Sequence, residues 1–94
     1  FLDRDPDRRR QELQRLRGLQ LPVVLMDTPY RLAALLADVA KTFGKGQKVT
    51  LAMNLTLPDE QILRGPVSEV SQQVGKRKAE FILIVDVQNP RKRS

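Results

Sequence analysis

PVVLMDTPYRLAALLADVAKTFG, residues 22–44, changes from one periodicity to another in the space of a turn. Pro22 to Met26 is an unbroken apolar run, the pattern of a strand covered on both faces. It stops at Asp27-Thr28-Pro29. Thr28 is placed to cap a helix, with Pro29 in the first turn, where its missing N–H costs nothing. Leu32, Leu35, Leu36, Val39 and Phe43 then recur at helical spacing, and Gly44 and Gly46 close the segment. A strand feeding an amphipathic helix is the repeating unit of an α/β layer.

The flanks extend that layer. Asp5-Pro6 opens an earlier helix, running to about Arg17, with Leu13 and Leu16 inward and Gly18 at its end. Its apolar stripe is too thin to hold a helix alone, so it must lie on a sheet. Downstream, Lys48 to Met53 alternates, placing Val49, Leu51 and Met53 on one side. Leu57-Pro58-Asp59-Glu60 makes a turn, and Gln61 to Arg64 is a short extended piece that can pair back as a hairpin. Gly65-Pro66 introduces a third helix, with Val67, Val70 and Val74 inward and Gly75 after it. Glu80 to Val87 is the last strand, and its continuous Phe81-Ile82-Leu83-Ile84-Val85 core predicts a central position. The expectation is a single small α/β domain over residues 1–88, a mixed sheet of about four strands flanked by about three helices. Residues 89–94 form a basic tail expected to be disordered.

Composition narrows the chemistry. The 94 residues contain no Cys and no His, which removes disulfides, thiol nucleophiles, the commonest neutral-pH base and the commonest zinc ligand. Catalysis within the chain would have to run on carboxylates, Tyr30 or Lys. No apolar run reaches bilayer length and the first residues are charged, so a cytoplasmic protein with no membrane partner is expected. The chain begins at Phe1 rather than Met and reads as a fragment of a longer protein. The formal charge of +6 gathers in Arg8-Arg9-Arg10 with Arg15 and Arg17, in Lys76-Arg77-Lys78, and in the tail. Such a surplus permits polyanion binding, but Asp3, Asp5, Asp7 and Glu12 interleave the first cluster, and a solvated face explains it as well.

Phosphate-cradling and nucleophile-elbow motifs are absent. Gly44-Lys45-Gly46-Gln47-Lys48 follows a helix instead of preceding one, so it reads as a turn. Asp59 and Glu60 sit side by side in a turn, where acids are ordinarily solvated. Two segments remain. Met26-Asp27-Thr28-Pro29-Tyr30-Arg31 and Ala52-Met53-Asn54-Leu55-Thr56 lie at the carboxyl ends of strands, where open α/β sheets place ligands. Capping and turn roles account equally well for Asp27, Thr28, Asn54 and Thr56.

Those segments also carry a resemblance. Leu25 to Leu32 resembles a "Y-E-S-P-H-R-L" stretch, and Leu51 to Thr56 resembles "A-R-E-L-T". Ile62 to Val70 resembles "L-R-G-T-L-S-E-L", Glu80 to Val85 resembles "G-E-x-V-L-V-V-E", and Phe1-Leu2 resembles the start of "G-F-L-P-R". In this order and spacing they are similar to the carboxy-terminal domain of the tetrapyrrole (corrin/porphyrin) methylase superfamily, in particular its branch that 2′-O-methylates ribosomal RNA. Thr28-Pro29-Tyr30-Arg31 and Leu55-Thr56-Leu57-Pro58 resemble more the divergent paralogs of that branch. The family's His is Tyr30 here, its Glu is Asp27, its Arg-Glu pair is Met53-Asn54, a usual Lys is Leu57, and a Pro is Asp3.

The resemblance implies half of a methyltransferase that uses S-adenosylmethionine. It implies a cofactor wall at Met26, Asp27, Ala52, Met53 and Asn54, and substrate contacts at Thr28, Tyr30 and Arg31. No catalytic or metal-binding residue is expected in this half, nor turnover without the amino-terminal domain. That domain, a second copy in a homodimer, and ribosomal RNA are the expected partners. A tetrapyrrole precursor, a basic RNA-binding module without catalysis, and an inactive paralog remain the alternatives.

Overall fold

The computed structural model describes residues 2–86. The predicted end of the last strand at Val87 and the basic tail lie outside them. Helix α1 spans Pro6–Leu19, and Asp5 accepts the Arg8 N–H at 3.0 Å as its cap. Gly18 does not end it: the helix runs on and stops at Gln20, whose φ of 55° turns the chain into the left-handed region. Strand β1 is Val23–Leu25, and helix α2 is Leu32–Phe43. A 3-10 turn, Pro29–Arg31, leads into α2. Strands β2 (Lys48–Met53) and β3 (Gln61–Pro66) form a hairpin; α3 (Val67–Val74) and β4 (Phe81–Val85) complete the chain.

The sheet order is β1-β4-β2-β3, and every neighbouring pair is antiparallel. The expected mixed sheet is therefore corrected. β1 and β2, joined through α2, do run in the same direction. β4 has inserted between them and opposes both, a split form of the strand–helix–strand unit. The central position predicted for Phe81–Val85 follows from that insertion.

Register sorts the side chains into two faces. One face carries the row Val23, Val85, Val49 and the row Leu25, Leu83, Leu51, then Phe81 beside Met53, all buried. Leu13 of α1, Leu32, Leu35, Leu36 and Val39 of α2, and Val67, Val70 and Val74 of α3 close over them in one core. The opposite face presents Val24, Ile84 and Thr50 in one row and Ile82, Ala52 and Ile62 in the next. Val24 is 59% and Ile62 50% exposed. The second correction follows: β1 is an edge strand covered on one face only. The molecule has two layers, which suits a shortest dimension of 21 Å when packed layers lie about 10 Å apart.

Loops settle two ambiguous readings. The turn after α2 gives the Lys45 and Gln47 carbonyls to the first amides of α3, at 3.2 Å from Ser68 N and 2.7 Å from Val67 N. The first two donors an anion would need at that helix end are thereby satisfied. The acids of the β2–β3 loop also have local work. Asn54 and Thr56 adopt positive φ, at 52° and 67°; Asp59 accepts the Asn54 side-chain amide and Glu60 accepts the Thr56 N–H, both at 3.0 Å.

One ion pair ties the helical layer together. Arg9 Nε of α1 donates to Asp38 Oδ2 of α2 at 2.8 Å, with the Arg9 side chain 12% exposed. Asp38→Ala leaves that largely buried guanidinium without its acceptor and is expected to cost about 1–3 kcal/mol. Asp7→Ala, which breaks an open pair with Arg10 at 2.9 Å, is expected to cost about 0–1 kcal/mol. Thermal melts of the two variants side by side check the contrast.

Candidate cofactor and substrate cleft

Because β4 runs against β1 and β2, its first residues meet their last ones along a single sheet edge. Met26, Ala52, Leu55, Glu80, Phe81 and Ile82 line a hollow of about 210 Å³ there. Its walls are mostly apolar. Ala52 and Ile82 are register partners on the open sheet face, and Met26 and Leu55, both 41% exposed, stand at its mouth from the loops beyond β1 and β2. Glu80 is the one ionisable group in the lining. Its carbonyl accepts the Asn54 N–H at 2.8 Å, which fastens the β2 exit to the β4 entry.

The expected cofactor residues divide. Met26 and Ala52 line the hollow together. Met53 is 1% exposed, and its side chain belongs to the core beneath the sheet. Asn54 is engaged locally: its N–H goes to Glu80, its carbonyl accepts from Leu57 N at 3.0 Å, and its amide donates to Asp59. Asp27 belongs to a second depression.

That second depression, about 450 Å³, is lined by Leu2, Arg4, Asp27, Thr28 and Arg31. Asp27 Oδ1 accepts the Thr28 N–H at 2.7 Å and Oδ2 accepts Arg31 Nε at 3.1 Å. Thr28, expected to cap the following helix, makes no side-chain cap bond; the neighbouring carboxylate makes the closing contacts. The three residues form one braced corner. Tyr30 projects from it, 76% exposed, with Lys78 Nζ 5.2 Å from its ring centre.

Glu80, Phe81 and Ile82 escaped prediction as lining residues, and Leu55 stood in a candidate segment without a role of its own. Glu80 stood in a quoted motif, but its meeting with Met26 depends on β4 lying between β1 and β2, which local pattern does not encode. Among the described residues no cluster of acids suits a metal ion, and no helix is long and apolar enough to cross a membrane.

No protein-family profile matches the chain. It is 36% identical over 74 residues to ribosomal RNA small subunit methyltransferase I of Micromonospora olivasterospora, covering 79% of this chain and 23% of that protein. The same enzyme of Xylella fastidiosa is 32% identical over 89 residues, 90% of this chain and 33% of the relative. That of Bacillus subtilis is 29% identical over 91 residues, 95% and 31%. The chain thus spans a third or less of the length of these relatives. Among solved structures, the cobalamin biosynthetic enzyme cobalt precorrin-4 methyltransferase superposes with a TM-score of 0.59 at 22% identity, over 78% of this chain and 32% of that one. Motif order, the relatives and the shared fold agree: the chain belongs to the tetrapyrrole methylase superfamily.

Proposed function

We propose that this chain is the carboxy-terminal half of a methyltransferase and forms one wall of its S-adenosylmethionine cleft, with RNA as substrate. The observation that carries the reading is the hollow between Met26, Ala52 and Glu80 at the shared strand edge. A slot of Met, Ala, Leu and Ile side chains suits an adenine face, since small-molecule sites are mainly apolar with a few placed polar groups. Glu80 stands where a ribose hydroxyl can donate to it, and a carboxylate also suits a ligand bearing a sulfonium. Bound there, S-adenosylmethionine supplies the electrophilic methyl group. The chain's own contribution is to position it, because displacement at that carbon gains chiefly from orientation. Met53, Asn54 and Asp27 act on the cofactor through backbone placement: one is anchored in the core, one is tied to Glu80 and Asp59, and one braces the corner at Arg31.

Thr28, Tyr30 and Arg31 face the substrate in this reading. The proton lost by a ribose hydroxyl goes to a base supplied by the amino-terminal domain or by the second copy in a cytoplasmic homodimer. The names of the sequence relatives favour RNA. A carboxylate-rich tetrapyrrole precursor is the second reading, favoured by the likeness to cobalt precorrin-4 methyltransferase. Calorimetric titration of S-adenosylmethionine tests the wall. The two-domain protein carrying this chain is expected to bind at micromolar concentration, and the isolated chain at least about tenfold more weakly, a difference of 1.4 kcal/mol or more. Equal binding by the isolated chain contradicts the one-wall reading.

A further inference from the structure

We propose that Tyr30 and Lys78 form a preset clamp for one unpaired nucleotide of the RNA substrate, the base stacking on the Tyr30 ring and the adjoining phosphate meeting Lys78. The inference rests on the RNA reading above and adds the site at which the strand is held.

Both residues come from connections that also wall the hollow. Tyr30 lies four residues after Met26, and Lys78 two before Glu80. Nothing in the core requires Tyr30. At 76% exposure it is the most exposed of the large apolar side chains among the described residues, and the core cluster does not include it. Its backbone is nonetheless fixed. Pro29 precedes it, the Arg31 N–H bonds to Thr28 O at 3.0 Å, and the Asp27–Arg31 pair closes the corner. An exposed aromatic on a rigid turn has little ordering entropy left to lose when a base stacks on it.

The cation is held in the same way. Gly75, at φ 61°, reverses the chain after α3, and Arg77 N bonds to Val74 O at 3.1 Å. Ala79, 7% exposed, anchors the loop immediately after Lys78. Lys78 Nζ sits 5.2 Å from the ring centre, within cation–π range. A ring so exposed still offers stacking surface. Lys76 and Arg77 are exposed beside it, and among the described residues the ion pairs involve none of the three cations. Asp59 shares a depression with Arg77 and Lys78 but is hydrogen-bonded to Asn54. Exposed aromatic and free cations together match a single strand, whose unstacked bases a duplex does not offer.

The test is fluorescence anisotropy of a labelled single-stranded RNA 12-mer and its duplex with the two-domain protein carrying this chain, at several salt concentrations, with folding of each variant checked by circular dichroism. Tyr30→Ala is expected to weaken single-strand binding about 5- to 100-fold, the range of one stacked base, with Tyr30→Phe close to wild type. Lys78→Ala is expected to lower the slope of log affinity against log salt by about 0.7, one phosphate contact. If RNA binds but Tyr30→Ala is without effect, or the duplex binds equally well, the clamp is wrong while the RNA reading survives. If the wild-type two-domain protein binds no RNA at low salt, both fail.

Discussion

Leu83→Ala is expected to lower the thermal midpoint by about 10–40 °C. Leu83 is fully buried in the central strand, with Leu25 and Leu51 as its register partners on either side. Truncation leaves a cavity between three strands and the helical layer, and such Leu→Ala changes cost about 2–5 kcal/mol. A domain of this size holds about 5–15 kcal/mol in total, and each kcal/mol moves the midpoint by about 4–8 °C. The neighbouring truncation, Ile82→Ala, removes a methylene-rich side chain from the open face of the same strand and is expected to cost about 1 kcal/mol or less, because no opposing layer is left with a void. Melts of the two variants separate a two-layer molecule from a three-layer one: comparable losses would mean that the second face is covered as tightly as the first.

That contrast marks where the sequence stopped being legible. Elements were readable because their periodicities are local: the heptad-like spacing from Leu32 to Phe43, the alternation from Lys48 to Met53, and the short valine stripe of Val67, Val70 and Val74 each reappear as observed structure. Burial on the second face was not. Val24, Ile82 and Ile84 are apolar whether or not anything covers them, so β1 read as enclosed although Val24 is 59% exposed. Sheet direction failed for a related reason. β1-α2-β2 carries the pattern of adjacent parallel strands, and only the distant β4 decides that they are separated. The cleft shares this origin. Met26 and Ala52 were legible as strand-end residues, whereas Glu80 joins them through topology alone. Tyr30 was visible as an aromatic after a turn; its partner Lys78, 48 residues further along, was indistinguishable from the rest of a basic triplet.

The open face also permits a clean functional test, since residues on it can be enlarged with little cost to folding. Ala52→Phe is expected to reduce affinity for S-adenosylmethionine, and methyl transfer at subsaturating cofactor, by about 5- to 150-fold in the two-domain enzyme. Ala52 projects into the same hollow of about 210 Å³ as Ile82 and Leu55, and a phenyl ring there occupies the volume an adenine would take. Forcing ligand or ring aside costs about 1–3 kcal/mol by the measure of overpacked sites, which is the stated loss at 1.4 kcal/mol per decade. Ile62→Phe is the control: Ile62 is the register partner of Ala52 on the neighbouring strand, shares its face, and lies outside the hollow's lining. Both variants are expected to melt within about 1 kcal/mol of wild type, as surface changes usually do, so loss of binding in Ala52→Phe alone would trace to the hollow and not to the fold. Undiminished binding with an unshifted melt would move the adenosine away from the strand edge, and with it the functional reason for Glu80 to stand beside Met26.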